Sequence, residues 1–259
     1  MPTKPMPRPR SGRPADGGRR SLKVLVGTSG WSYKEWKGSF YPEKFPSEEM
    51  LRFYATRFAA VEVNNSFYRI PNERVLTTWT GQVPDQFRFV LKASRRITHN
   101  TRLADEDGSL EYFLRAVNPL GERLGPTLFQ LPPNFKKDVN RLQNFLGRLP
   151  RRWPAAMEFR HSTWFEEEVY QLLRARDVAL VAVDEDESEG PGSPLVPTAG
   201  WGYLRLRRSS YDTATLQRWA ERIRGQPWNE AYVFLKHEEG SPTGPAAAQE
   251  LKKILGDPP

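Results

Sequence analysis

The run "AAVEVNNSF" (residues 59–67) starts apolar and ends polar. Successive side chains of a strand point to opposite faces, so as a strand it carries Glu62, Asn64 and Ser66 on one face. Seven more runs have a similar apolar character: "LKVLVGTS" (22–29), "FRFVLKAS" (87–94), "PTLFQLP" (126–132), "AAMEFRH" (155–161), "VALVAVDE" (178–185), "GYLRLR" (202–207) and "AYVFLKHE" (231–238). Helical patterns lie between them. "SEEMLRFYATRF" has Ser47 placed as its cap, "NERVLTTWTGQV" starts at Asn72, and "GSLEYFLRAVNPLGERL" follows. "DVNRLQNFLGRL" starts at Asp138, and "TWFEEEVYQLLRAR" opens on Thr163 and Glu166, the spacing of a capping box. "DTATLQRWAERIRG" and "AAAQELKKIL" complete the set, while the connector 186–200 has no clear helical pattern. Alternation of this kind argues for a parallel sheet covered by helices. Eight strands in about 235 residues is the size of a closed barrel. The expected fold is α/β, a single-domain TIM-type (β/α)8 barrel over residues 22–259, with a doubly wound open sheet as the alternative.

The chain has 259 residues, 38% hydrophobic and 27% charged, which suits a soluble protein with a sizeable core. No apolar run reaches the roughly 18 residues of a membrane span, so no membrane partner is expected. The net charge of +8 invites a nucleic-acid reading. Its distribution weakens that reading, because residues 1–21 hold Lys4, Arg8, Arg10, Arg13, Arg19 and Arg20 against Asp16, five of the eight charges. This Pro/Arg-rich stretch is expected to be a solvated, disordered basic tail, or less readily an arm that grips phosphates. It lacks the apolar core of a secretory signal, and its prolines oppose an amphipathic helix. The chain has no cysteine, which excludes disulfides, thiol catalysis and cysteine-ligated zinc. Cytoplasmic residence fits these features, and oligomeric state is not legible.

In a barrel of this type the active site lies at the carboxyl ends of the strands. Charge packed against the helix layer is costly, so polar residues within strands are expected to point inward near that end. The set is Glu62, Asn64 and Ser66 on the second strand, Lys92 and Ser94 on the third, and Gln130 on the fourth. Glu158, Arg160 and His161 follow on the fifth, Asp184 on the sixth, Arg205 and Arg207 on the seventh, and Lys236, His237 and Glu238 on the eighth. Two readings compete: a ligand site, or buried ion pairs such as Glu158 with Arg205 or Glu62 with Lys92, which persist without any catalytic role.

As a site, the set offers Glu62 and Glu158 as an acid/base pair if their environments separate their pKa values. Lys92, Arg160, Arg205 and Lys236 suit an anionic group such as a carboxylate or phosphate. A lysine inside a barrel also suits a Schiff base. His99, His161 and His237 are the three histidines, and none lies in H-x-x-x-H or H-x-H spacing, so a one-metal site from Glu62, Glu158, Asp184 and a histidine is the weaker reading and no cofactor is expected. The glycines of "GTSG" (27–30) are explained by a tight turn as well as by a phosphate loop, since no G-x-x-x-x-G-K-[ST] is present.

"VGTSGWSYKEWKGSFYPEKF" (26–45) runs out of the first strand into six aromatic residues. Phe40, Tyr41 and Phe45 flank a proline ahead of a helix and are expected to pack. Trp31 and Tyr33 leave the strand end and are expected to wall the ligand site. Trp36 fits either role.

Together "GTSGWSYKEWKGSFYP" (27–42), "VEVNNSFYRIP" (61–71), "FVLKASRRITH" (89–99), "LFQLPPNF" (128–135) and "MEFRHSTWF" (157–165) resemble the YecE-like family, domain of unknown function 72 (DUF72), from about residue 24 onward. The resemblance implies a TIM-type barrel and no assigned activity. It points to Trp31, Tyr33, Glu62, Asn64, Tyr68, Lys92, His99, Gln130, Glu158, Arg160 and His161. Where many relatives read "RxHG" on the seventh strand this chain has "RLRR", with Arg207 for a histidine; where many read "FNN" on the eighth it has "FLKH", with Lys236 and His237. Both changes favour a more anionic ligand. The leading expectation is a metal-independent barrel enzyme for a small polar, sugar-like or phosphorylated substrate, with Glu62, Glu158 and Lys92 catalytic. The alternatives are a nucleic-acid-binding or processing barrel and a non-catalytic binding or scaffold module.

Overall fold

A computed structural model describes residues 22–104, 106–186, 192–236 and 243–256. The tail expected at 1–21, and His237 and Glu238, lie outside the described residues.

The strands are β1 (Lys23–Thr28), β2 (Ala60–Val63), β3 (Arg88–Lys92), β4 (Leu124–Gln130), β5 (Ala155–Glu158), β6 (Ala179–Asp184), β7 (Trp201–Leu206) and β8 (Glu230–Leu235). All neighbours pair in parallel, in the order β1-β8-β7-β6-β5-β4-β3-β2. Between β1 and β2 the ladder shrinks to one parallel bridge, Ser29 to Glu62, with the Gly30 N–H donating to the Glu62 carbonyl at 2.8 Å. That bridge closes the sheet, and the doubly wound alternative falls.

The helices are α1 (Met50–Ala55), α2 (Glu73–Thr80), α3 (Ser109–Val117), α4 (Val139–Arg148), α5 (Glu167–Arg174), α6 (Thr213–Arg224) and α7 (Thr243–Leu255). Asn72 and Asp138 cap α2 and α4, their side chains accepting from the Val75 and Arg141 N–H groups. Two expected caps differ. Ser47 opens a 3-10 turn ahead of α1. Thr163 instead lies in a 3-10 turn, its hydroxyl accepting from the Lys137 N–H at 2.9 Å, so no capping box forms, and Glu166 precedes α5 with its carboxylate turned to Lys137 Nζ rather than to the helix. No helix of the described residues is long and apolar enough to cross a membrane.

The apolar residues sort into two layers. Leu25, Val90, Leu128, Ala156, Val181, Tyr203 and Phe234 fill the barrel. A larger outer set, including Leu91, Phe129, Met157, Leu204 and Val233, packs against the helices. Each strand therefore keeps one parity for the lumen.

The weak seam has its own support. A Cβ on Gly27 would stand 2.1 Å from the Ala60 carbonyl oxygen, so only glycine lets β1 approach β2 this closely. The buried Tyr54 hydroxyl of α1 accepts from the Thr28 N–H at 2.8 Å and donates to the Ala60 carbonyl at 3.1 Å. One side chain thus supplies what a missing ladder bond leaves open.

Candidate active site at the barrel mouth

The lumen parities bring Ser29, Glu62, Lys92, Gln130, Glu158, Tyr203 and Arg205 to the carboxyl ends of six strands. Arg205 lies at the centre, 2% exposed between two carboxylates that are themselves 0% and 1% exposed. It donates to Glu62 Oε1 and to Glu158 Oε2, each at 2.7 Å. Glu62 Oε1 also accepts from Ser29 at 2.8 Å and Asn64 Nδ2 at 3.1 Å, and Oε2 accepts from Tyr203 at 2.6 Å. Glu158 Oε1 accepts from Gln130 Nε2 at 2.7 Å. Gln130 turns its own Oε1 to Lys92 Nζ, again at 2.7 Å. The chain Glu62–Arg205–Glu158–Gln130–Lys92 is continuous. With Lys92 protonated, its two cations and two carboxylates balance.

Burial would push Glu62 up, but the charge of Arg205 and the hydrogen bonds from Tyr203, Arg205 and Ser29 outweigh it and hold the carboxyl down at about 2. Glu158 is likewise held low against its burial by Arg205 and Arg207. Both are ionised at neutral pH, and their oxygens are occupied. The Glu158–Arg205 ion pair anticipated from sequence is present. The Glu62–Lys92 pair is not, because Arg205 takes Glu62 and Gln130 takes Lys92.

Lys92 differs from every other charge in the pit. It is half-buried, its ammonium bonds a neutral amide oxygen, and among the described residues it has no carboxylate within ion-pair distance. Its Nζ sits 4.2 Å from the centre of the Phe67 ring. Burial first, and then the positive charge of Arg205, bring its pKa down to about 8. His99 touches the other part of this wall, its ring 4.8 Å from Phe67. Burial and the cations Lys92, Arg95, Arg160 and Arg102 push it down to about 4, so the imidazole is neutral at pH 7. Arg207 is half-buried and paired with Glu185 at 3.2 Å, and Arg160 is exposed at the rim. Lys236 is half-buried just past β8.

Other residues named from sequence stand elsewhere. Asp184 has the outward parity of β6, whose Val181 and Val183 fill the lumen. Its carboxylate accepts from Trp219 Nε1 at 2.9 Å, Tyr211 at 3.1 Å and Arg208 Nε at 2.8 Å, tying β6 to α6. Three donors make that outward charge tolerable. His161 turns to its own loop, Nδ1 accepting from the Thr163 N–H at 3.3 Å. Tyr33 donates to the Ser29 carbonyl at 2.6 Å and so braces the rim beside Glu62. Trp31 departs from expectation. Gly30 has φ of 93°, and the chain beyond it turns so that the indole meets Trp79 of α2 at 5.1 Å and Phe89 at 6.5 Å. Fully buried Trp→Ala changes cost about 3–5 kcal/mol. Trp31→Ala, at a half-buried position, should therefore lose about 2 kcal/mol in urea unfolding and leave ligand affinity at the mouth unchanged. Phe40, Tyr41 and Trp36 pack as one aromatic cluster, with ring centres 4.8–6.2 Å apart.

Sequence reasoning missed Ser29 and Tyr203. Tyr203 carried a signal, since it precedes Arg205 by two residues and shares its face.

Beside the mouth runs a groove of about 1270 Å3 between the loops after β2 and β3 and the start of α3. Tyr68, Val75 and Tyr112 line it, and these are the exposed large apolar side chains among the described residues. Arg95, Arg96 and Arg115 line it too. Among the described residues, no group of three or more His, Cys, Asp or Glu is placed to hold a metal ion.

A family model, "Protein of unknown function DUF72", matches residues 25–259. The chain belongs to this family. A DUF72 family protein from Thermotoga maritima MSB8 superposes with a TM-score of 0.80 at 30% identity, over 90% of this chain and 99% of that one. Another from Enterococcus faecalis V583 gives 0.74 at 22% identity, over 90% and 95%, and shares the fold. The UPF0759 protein YecE of Escherichia coli K12 is 30% identical over 62% of this chain, and the chain spans 59% of that relative's length. The UPF0759 protein YunF of Bacillus subtilis 168 is 26% identical over 83% of this chain and 79% of its own. The DUF72 match covers every residue of the mouth.

Proposed function

We propose that this DUF72 barrel is an enzyme acting on a small anionic, sugar-like or phosphorylated substrate at the carboxyl end of the barrel, with Lys92 as the working group. The observation that carries this reading is the division of labour in the pit. Glu62, Arg205 and Glu158 fix one another with one net negative charge, so they form a rigid floor and have no proton to exchange near pH 7. Lys92 stands at the edge of that floor, partly open to solvent, with a pKa of about 8 close to working pH. This recasts Glu62 and Glu158, first read as an acid/base pair, as positioning residues. Arg160, Arg207 and Lys236 supply positive charge at the rim for an anionic group. Asn64 Oδ1, buried without a hydrogen-bond partner, suits a ligand hydroxyl. A thermal-shift screen of phosphorylated and carboxylated sugars against their neutral parents tests this. An anionic member should raise the Tm, by about 2.7 kcal/mol of stabilisation at a hundred times its Kd. Equal, null shifts for anionic and neutral members would remove the reading.

A nucleic-acid-binding barrel is the second reading, favoured by the groove of Tyr68, Tyr112, Arg95, Arg96 and Arg115. It expects oligonucleotide affinity that falls steeply between 50 and 200 mM salt. Absence of salt-dependent binding would exclude it.

A further inference from the structure

The geometry points to Lys92 as an imine-forming nucleophile, and so to a substrate that carries an aldehyde or ketone beside its anionic group. The inference rests on the proposed reading of the mouth and names its chemistry.

Three features separate this amine from a lysine that merely binds an anion. A binding lysine is best served by a nearby counter-charge that keeps it protonated. Here Glu62 and Glu158 are both hydrogen-bonded to Arg205, and among the described residues Lys92 has no carboxylate within ion-pair distance. The ammonium is steered instead by Gln130 Oε1, a neutral acceptor 2.7 Å away that still accepts an N–H, more weakly, once the amine is uncharged. Gln130 is itself fixed, since its Nε2 is bonded to Glu158 Oε1 at 2.7 Å. The third feature is the Phe67 face, 4.2 Å from Nζ, which walls one side of the amine with a surface that cannot solvate a charge as water does. Burial and the positive charge of Arg205 outweigh the pull of Glu158 and Glu62 on this amine, and a desolvated lysine near another cation is the arrangement that yields a reactive free base near neutral pH.

The step balances without a co-reactant. The uncharged Nζ adds to the carbonyl carbon, forming a C–N bond as the C=O π pair moves to oxygen. Proton transfer from nitrogen to that oxygen gives the carbinolamine. Loss of the hydroxyl as water, with a second proton supplied from solvent, leaves the protonated imine. The positive nitrogen then lies over the floor of Glu62 and Glu158, whose charge is suited to a cationic intermediate that persists after the free amine is gone.

The test is reductive trapping on the full chain. Protein at pH 8 is incubated with pyruvate or with glyceraldehyde 3-phosphate in sodium cyanoborohydride, then digested and mapped by mass. Reduced adduct should appear on the Lys92 peptide at least ten times faster than on any other lysine with one of the two probes, and should vanish from that position in Lys92→Arg. Preferential trapping should persist from pH 8 down to pH 7, where exposed lysines fall further behind. Adduct spread over surface lysines, with Lys92 no faster, overturns the imine. If anionic sugars still stabilise the fold in that case, the proposed reading of the mouth survives with Lys92 as a proton carrier. If neither effect is seen, both fall.

Discussion

Arg205→Met should lower the thermal midpoint by about 10 °C or more and invert the response of stability to pH. Removing one partner of a buried ion pair costs about 3–5 kcal/mol, because an uncompensated charge stays behind. Here two carboxylates lose the same guanidinium. Each kcal/mol is worth roughly 2–4 °C in a chain of about 150–250 residues. In the wild type, Glu62 has its folded pKa at about 2, below the unfolded value of 4.5. A depressed carboxyl contributes stability that is fully present above the unfolded pKa and is lost as pH falls through the folded one. Wild-type stability should therefore slip as pH falls below about 6.5, where unfolded His99 takes up a proton that the folded imidazole at about 4 refuses, and decline further between 4.5 and 2 as Glu62 titrates. Without Arg205, burial and mutual repulsion raise both carboxyls above their unfolded values. The variant should then gain stability as pH drops from 8 to 5, since protonation relieves two buried charges. Urea midpoints at pH 8, 6.5 and 5 for both proteins check this. Parallel curves would mean that the floor is hydrated enough to stand without its arginine.

The barrel was readable because each strand presents an apolar run of the right length between helical patterns, and parallel strands buried on both faces need little else. What the runs could not fix was parity. "VALVAVDE" is apolar on both faces, so nothing in it says whether Asp184 or Val183 faces the lumen. Register against β5 and β7 decides that, and it puts Asp184 under Trp219 and Tyr211. "VEVNNSF" was different, since Glu62 can be buried only where donors meet it, and the lumen was the place that offered Arg205. Trp31 was misjudged for a third reason. Distance along the chain from the strand end does not reveal the direction taken after Gly30, which depends on a positive φ that the residue permits but does not require. Which of two strand-end carboxylates and one lysine would stay free to exchange protons was also beyond the sequence. That turns on Arg205 reaching both carboxylates at once, a matter of distances of 2.7 Å across strands β2, β5 and β7.

The same division makes Lys92 the position where function and folding separate most widely. Lys92→Met and Lys92→Arg should each reduce turnover of any substrate found at the mouth by a factor of about 100 to 10,000, the range supplied by a positioned acid or base. Lys92→Arg keeps the positive charge and should retain most of the affinity for an anionic ligand, so its defect falls on kcat. Lys92→Met loses charge as well, so KM rises with it. Lys92→Met should change stability little, because the desolvation cost it removes is offset by the Gln130 Oε1 acceptor it leaves unpaired. The folded lysine has a pKa of about 8 against 10.5 when unfolded, so the unfolded state binds the proton more readily across that interval. Protonated Lys92 is therefore a cost to folding at neutral pH, and methionine of similar length removes it while keeping the contact with Phe67. A wild-type rate that needs the free amine should rise with pH through about 8 and level off well before 10.5. That limb should be absent from the residual activity of both variants. A variant that loses its fold together with its activity, or a wild-type rate still climbing at pH 10, would place the working proton elsewhere. Because the expected stability change is small, a large loss of rate in a folded Lys92→Met can be assigned to chemistry, which the paired carboxylates beneath it would not allow for themselves.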